Sequence, residues 1–329
     1  MIESLVQGVL AGQPRAVARA ITLVENGGPD AAQLVARLRP AAGKGQLIGF
    51  TGSPGAGKSS LICKLARELR SRGRSVGVLA VDPSSPFSGG AVLGDRVRMQ
   101  ELACDPEVFV RSMASRGRSG GLAEAVEDAA VVLRAAGKEI VMVETVGVGQ
   151  GELDIASLAH TVVVVLTPGM GDEIQSLKAG LLEVADIYVV NKADLVGADA
   201  VARSLQAEAE RPVGGWWRPV IQTSSVDGRG IAELAEALEA HAAHLRGRTK
   251  ADEQEIRLTY KTILTLAGRE IVEELESTVQ PDRLERLALD VVTGNLEPRQ
   301  AARAAVRMFL RERRRDPSSR KEEEVEVVA

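Results

Sequence analysis

Short aliphatic runs alternate with amphipathic stretches from about residue 46 to about residue 225. The runs are LIGFT (47–51), SVGVLAVD (75–82), VFVRS (108–112), EIVMVET (139–145), TVVVVLTP (161–168), IYVVNK (187–192) and PVIQTSS (219–225). Seven such runs separated by helical stretches predict an α/β fold with a mostly parallel, doubly wound sheet and right-handed crossovers. Ahead of them, helical patterns fill residues 1 to about 40, where Ile2, Leu5, Val6, Val9 and Leu10 recur at helical spacing and a second pattern runs from Ala16 to Val24. After Gly228 only helical patterns remain: Ile231 to Leu245, a long stretch through Ile256, Tyr260, Ile263, Ala267, Ile271 and Leu275, then Leu284 to Val292 and Arg299 to Leu310. The expected organisation is an amino-terminal helical extension (1–45), a sheet domain (46–247) and a carboxy-terminal helical arm with a charged tail (248–329). An apolar face on such an arm must bury itself on the core or on a second subunit, and a homodimer is expected.

Composition narrows this picture. Only eight of the 329 residues are Phe, Trp or Tyr, so the core must be aliphatic, which suits parallel strands covered by helices. The formal net charge of -4 provides no general field for nucleic acid or anionic lipid, so an anionic ligand needs a local site. No secretory leader is evident, and no apolar run approaches the roughly 18 to 20 residues of a membrane helix, so a cytoplasmic protein is expected. Cys63 and Cys104 are isolated and are expected to pack as small hydrophobes.

The sharpest local signal is Gly52-Ser53-Pro54-Gly55-Ala56-Gly57-Lys58-Ser59-Ser60, which contains G-x-x-x-x-G-K-[ST] between a strand and a helix. Its glycines let backbone N–H groups turn toward phosphate oxygens, and the helix start adds positive potential. Lys58 is of a length to reach the β and γ phosphates, and Ser59 offers a hydroxyl to Mg2+. A second motif, Asn191-Lys192-Ala193-Asp194, follows the strand IYVV. The Asp194 carboxylate can accept from both N1–H and the exocyclic amine of guanine, a donor pair that adenine lacks. Thr223-Ser224-Ser225 ends the last run, where it either supports the base or is simply a polar strand end.

Two further strand ends carry acids. Glu144-Thr145-Val146-Gly147 stands where regulatory GTPases have Asp-x-x-Gly, with an acid toward Mg2+ and a glycine amide toward the γ phosphate. Val148 occupies the place where small Ras-like enzymes have a water-orienting Gln, and Gln150 is out of that register, so slow intrinsic GTP hydrolysis is expected. Asp82 in VDPSS and Asp95 in the glycine-rich FSGGAVLGD can converge on the same metal; a turn at Asp82-Pro83 and a helix cap at Asp95 are the plainer alternatives.

Together and in this order, the P-loop, VDPSSPFSGGAVLGD, ETVGVGQGE, TPGMGDEIQSLKAG and NKAD resemble the MeaB/ArgK family of G-protein chaperones of the adenosylcobalamin enzyme methylmalonyl-CoA mutase, over nearly the whole chain. The resemblance implies a homodimeric GTPase that gates cofactor loading and protects or reactivates the mutase. Methylmalonyl-CoA mutase and its adenosyltransferase are the partners it suggests. It further implies Mg2+ held by Ser59, Asp82, Asp95 and Glu144, and GTP or GDP held at its phosphates by residues 52–60. Asp194 and the segment Ser224, Ser225 and Val226 would hold guanine. The stretch Gly169 to Lys178 looks like an additional switch loop of the family, with Asp172, Glu173 and Lys178 candidates for coupling partner binding to hydrolysis; without the family they would be an acidic helix start and a solvated lysine. Arg116 and Arg118, in SRGRSGG, read as a solvated loop that can also approach the phosphates.

Other classes fit less well. A nickel-inserting GTPase often carries His-rich or Cys-rich segments, whereas this chain has only His160, His241 and His244, the last two reading as a solvated helix face. An RNA-binding GTPase calls for a basic patch with stacking aromatics, and Trp216-Trp217 reads instead as a shield at a sheet edge. The older transport-linked kinase naming of the family has no second substrate pocket or membrane segment to support it in the sequence.

Overall fold

The computed structural model describes residues 2–43, 45–82, 102–114, 121–145, 158–169, 182–209, 212, 214–247, 267–268, 271–272 and 274–313. They belong to two compact units, residues 1–250 and 251–329. The first unit opens with helices α1 (Ile2–Leu10), α2 (Pro14–Asn26) and α3 (Pro29–Leu38). There follow β1 (Gln46–Thr51), α4 (Lys58–Ser71), β2 (Val76–Asp82), β3 (Val108–Ala114), α5 (Gly121–Ala135), β4 (Ile140–Glu144), β5 (Thr161–Leu166), β6 (Ile187–Val190), α6 (Ala198–Ala209), β7 (Val220–Gln222) and α7 (Ile231–Gly247). The strands make one sheet in the order β3-β2-β4-β1-β5-β6-β7, every neighbouring pair parallel. All seven predicted strands are present. Several end earlier than their aliphatic runs: β5 stops at Leu166, β6 at Val190 and β7 at Gln222, where the loops that follow begin.

Alternation along the strands sorts side chains into two layers. On one face Ile48, Phe50, Val78, Met142, Val163, Val165 and Val189 meet Leu61, Ile62, Leu65 and Leu69 of α4 and Ile231, Leu234 and Leu238 of α7. On the other, Leu47, Leu79, Val81, Val141 and Val143 meet α5 and the three amino-terminal helices, while Val162, Val164, Tyr188 and Val190 meet α6. Each fully buried leucine of α4 contributes roughly 1.5 to 3 kcal/mol of transfer free energy, so this layer anchors the helix whose first turn carries Lys58 and Ser59.

Three features differ from expectation. The amino-terminal segment is helical to Leu38 but divides into three helices, one more than its spacing distinguishes: Gly27 and Gly28, at φ +71° and +91°, end α2, and Pro29 sits at the first turn of α3. Cys104 is exposed, while Cys63 is partly buried against the core as expected. His241 is not solvated but buried at 2% exposure. Its Nδ1 lies 2.9 Å from Thr161 Oγ1, which also accepts from Gln46 Nε2 at 2.9 Å. Its Nε2 is 3.6 Å from Asp186 Oδ1, and Trp216 packs on its ring at 4.8 Å while donating to Asp186 O at 2.9 Å.

Asp186 accepts from Val162 N–H at 2.8 Å, yet burial pushes its carboxyl up to about 6, against the pull of that hydrogen bond and of Arg218. A carboxyl whose folded-state pKa exceeds its ordinary value of 3.8 stabilises the fold below pH 4. That contribution is lost as pH rises through about 6. Asp186→Asn is therefore expected to flatten this part of the stability profile and to be more stable than wild type by up to about 3 kcal/mol above pH 6. Urea unfolding at pH 4.5 and 7.5 checks the sign.

The second unit contains helical residues 274–278, α8 (Pro281–Val292) and α9 (Pro298–Arg313). Within it Arg283 bonds Glu312 at 2.7 Å and Arg313 bonds Glu274 at 3.0 Å, and Val279 and Phe309 are buried. Leu289, Val292 and Leu310 remain exposed within this unit. Residues 256–266 of the long amphipathic stretch, and the charged tail from 314, lie outside the described residues. No helix among the described residues is long and apolar enough to cross a membrane.

Candidate functional site

The loop between β1 and α4 is shaped by positions that tolerate only glycine. Gly52 has φ +132°, and an added Cβ would lie 2.0 Å from the Val165 carbonyl oxygen of β5. Gly57, at φ +83°, starts α4 in the left-handed region, where a Cβ would meet Asn191 Nδ2 at 2.6 Å. The chain thus passes tightly under β5, turns through exposed Pro54 and Gly55, and enters the helix with its first amides facing the loop. Ser53 and Ala56 close this turn through Ala56 N to Ser53 O at 3.1 Å, and Ser60 continues the first helical turn.

Two side chains at the start of α4 are held in place here. Lys58, 5% exposed, donates from Nζ to Gly52 O at 2.7 Å and Ser53 O at 3.1 Å. Ser59 Oγ donates to Glu144 Oε1 at 2.6 Å, joining α4 to the carboxyl end of β4. β1 and β4 are neighbours, with Phe50 in register with Glu144, so the serine and the acid meet because their strands are paired. Thr145 reinforces the junction by donating its N–H to Phe50 O at 3.1 Å. Asp82 is the last residue of β2, which flanks β4 on the other side. The Asp82 side chain, and Asp95, Gly147, Lys178, Asp172, Glu173, Arg116 and Arg118, lie outside the described residues.

β5, β6 and β7 carry the other half of the site. Asn191, just past β6 and 1% exposed, donates from Nδ2 to Ala56 O at 2.8 Å and accepts from Thr223 Oγ1 at 3.1 Å. It is a strut that ties the glycine-rich loop to the ends of β6 and β7. Lys192 then adopts φ +57°, the only non-glycine in the left-handed region among the described residues, and its aliphatic stem runs beside Gly57. Asp194 follows, exposed and without a side-chain partner among the described residues. Ala193 N to Thr223 O, 2.9 Å, holds this loop against the next. There Ser224 is fully buried, its Oγ receiving the Val226 N–H at 3.3 Å, while Val226 is 83% exposed. The buried Oγ atoms of Ser225 and Thr51 have no hydrogen-bond partner among the described residues.

The structure therefore brings Lys58, Ser59, Glu144 and Asn191 into direct contact with the glycine-rich loop, and Lys192, Asp194, Ser224, Ser225 and Val226 into two adjoining loops at the same edge of the sheet. Such an edge is where parallel α/β sheets hold ligands. Turned backbone amides and a buried ammonium suit phosphate, clustered oxygens suit a hard cation, and an exposed carboxylate without a side-chain partner among the described residues suits a base with several donors. Sequence reading did not single out Thr51 or the strut role of Asn191. Thr51 bears no signal beyond its place in a strand, and the strut depends on a contact between residues 135 positions apart.

A family model described as "Methylmalonyl Co-A mutase-associated GTPase MeaB" matches residues 17–280. The chain belongs to the MeaB family. A protein of Pyrococcus abyssi named as a GTPase is 44% identical over 308 residues, covering 92% of this chain and 95% of that one. The "GTPase ArgK" of Escherichia coli is 34% identical over 303 residues, 89% of this chain and 92% of that one. Among solved structures, one described as "LAO/AO transport system kinase" superposes with a TM-score of 0.69 at 26% identity, covering 94% of this chain and 97% of that one. The fold is that of the P-loop NTPases, and the chain is a GTPase of the MeaB family, related to mutase-associated chaperones.

Proposed function

We propose that this MeaB-family GTPase is a Mg2+-dependent chaperone of an adenosylcobalamin-dependent methylmalonyl-CoA mutase, gating loading of the cofactor and protecting or reactivating the mutase. In this reading residues 52–60 hold the phosphates through backbone N–H groups, and Lys58 leaves the carbonyls of Gly52 and Ser53 for the β and γ phosphates. Asp194 accepts from guanine N1–H and its amine, with Ser224, Ser225 and Val226 beside the base. Asn191 and Lys192 keep that loop against the phosphate loop.

Ser59 and Glu144 fit a magnesium ion: their oxygens already touch at 2.6 Å in a buried spot at the start of α4, and oxygen donors are what this hard cation takes. Asp82 and Asp95 would complete the set. When bound, the ion neutralises charge on the phosphate oxygens. Hydrolysis is slow in the free protein because no glutamine follows Gly147, whose amide serves the γ phosphate, and Lys178 couples arrival of the client to turnover. The exposed Leu289, Val292 and Leu310 of the second unit support a homodimer formed through residues 248–329. The same reading puts the protein in the cytoplasm, with the mutase and its adenosyltransferase as partners and no nucleic acid or membrane.

The observation that supports this reading most is the Asn191 strut, which couples the phosphate loop to the guanine motif within a chain whose family is mutase-associated. Pull-down with a methylmalonyl-CoA mutase tests it. Retention is expected to differ between the GDP state and the state bound to a non-hydrolysable GTP analogue. Equal failure to bind in both states would refute the chaperone role while leaving the GTPase intact.

A further inference from the structure

The opposite edge of the sheet contains a cavity of about 480 Å³, beneath the first residues of β1 and β4, Gln46 and Ile140. It is remote from the nucleotide loops, which leave the far ends of these same strands, about 15 to 20 Å away at strand rise. Its volume is in the range of small-molecule sites. Its wall is rich in cations: Arg74, Arg134, Lys138 and Arg246 face Glu139 and Glu239.

The two acids are already engaged. Glu139 takes Arg74 at 3.1 Å and the Ser75 N–H at 3.0 Å, and Glu239 lies 3.5 Å from Arg72 and 4.0 Å from Arg74. Lys138 is 3.6 Å from Glu107. Arg134 and Arg246 form no ion pair among the described residues. The only hydrogen bond of Arg134 there is from Nε to Ala130 O of its own helix, at 3.4 Å, which leaves the outer guanidinium nitrogens open. Burial disfavours the Arg134 charge and Arg39 repels it; Glu127, which partly offsets both, is bonded to Arg39 at 3.3 Å. A half-buried guanidinium that keeps its charge without a carboxylate partner is favourable only if something else supplies the negative charge.

We propose that this cavity binds a small polyvalent anion bearing phosphate or carboxylate groups, gripped in bidentate fashion by Arg134 and closed over by Arg246 and Lys138. The planar fork of Arg134 matches either oxyanion, so two chemical sources compete for one site. Ala242 of α7 forms part of the wall, and a large side chain there would fill the space without altering any charge.

The test uses the full chain saturated with GDP, so that the phosphate loop is blocked, titrated calorimetrically with inorganic phosphate and separately with tricarballylate at constant ionic strength. Saturable single-site binding of at least one probe is expected, and the tighter probe identifies the source. Arg134→Gln should weaken it by about tenfold or more, and Ala242→Trp should abolish it, while GDP affinity stays at the wild-type value. If Arg134→Gln does not fold, Arg246→Gln at the exposed end of α7 replaces it, with severalfold weakening expected. Absence of saturable binding for both probes, or unchanged affinity in the cavity-filling and charge variants alike, would overturn the proposal.

Discussion

Asp194→Asn is expected to lower affinity for GTP and GDP by about 10² to 10⁴, and to bring in xanthine nucleotides in their place. The carboxylate is exposed, just beyond the left-handed turn at Lys192, with no partner of its own among the described residues. Two hydrogen bonds from guanine to a charged acceptor are worth roughly 1.5 to 3 kcal/mol each, and the amide can replace at most one of them while presenting its NH2 group to the exocyclic amine. Xanthine has a carbonyl at that position and accepts the new donor. Because the wild-type side chain is exposed and has no hydrogen-bond or ion-pair partner among the described residues, the variant should unfold within about 0.5 kcal/mol of wild type. Calorimetry with GTP, XTP and ATP reads the exchange. Equal affinity of wild type for GTP and ATP would remove Asp194 from the base site.

Lys58→Ala should have a comparable or larger effect, of a different kind. Its ammonium is buried on the carbonyls of Gly52 and Ser53, and it is the one cationic side chain of residues 52–60. On the proposed reading, loss of this cation from the phosphate site removes charge-assisted bonds worth roughly 3 to 6 kcal/mol in total, or about 10² to 10⁴ in nucleotide affinity or hydrolysis. A role in folding alone would lower the melting temperature of the nucleotide-free protein. A role in phosphate binding leaves that temperature nearly unchanged and eliminates the rise produced by saturating GTP, which follows from mass action. Thermal melts of both proteins with and without GTP separate the two.

Elements whose cause is local were legible in the chain. The seven strands follow from aliphatic runs, and the phosphate loop from glycines that the geometry at Gly52 and Gly57 requires. What could not be read was set by packing between distant segments. His241 looked like a solvated helix residue because helical spacing says nothing about Thr161, Asp186 and Trp216, which converge on it from three other segments. Asn191 was visible as part of a guanine motif but not as a strut, since Ala56 and Thr223 reach it only after β1, β6 and β7 align. The cationic cavity is likewise assembled from the ends of α5 and α7 and the starts of β1 and β4, none of which bears a motif.

On the proposed function this GTPase is tuned to a client enzyme rather than to rapid turnover, and the rate of GTP hydrolysis with and without methylmalonyl-CoA mutase tests that most directly. The free protein should turn over at well below about 1 per second, and saturating mutase should accelerate it at least severalfold. A free rate of about 1 per second or more, or a rate that the mutase leaves unchanged, would contradict it.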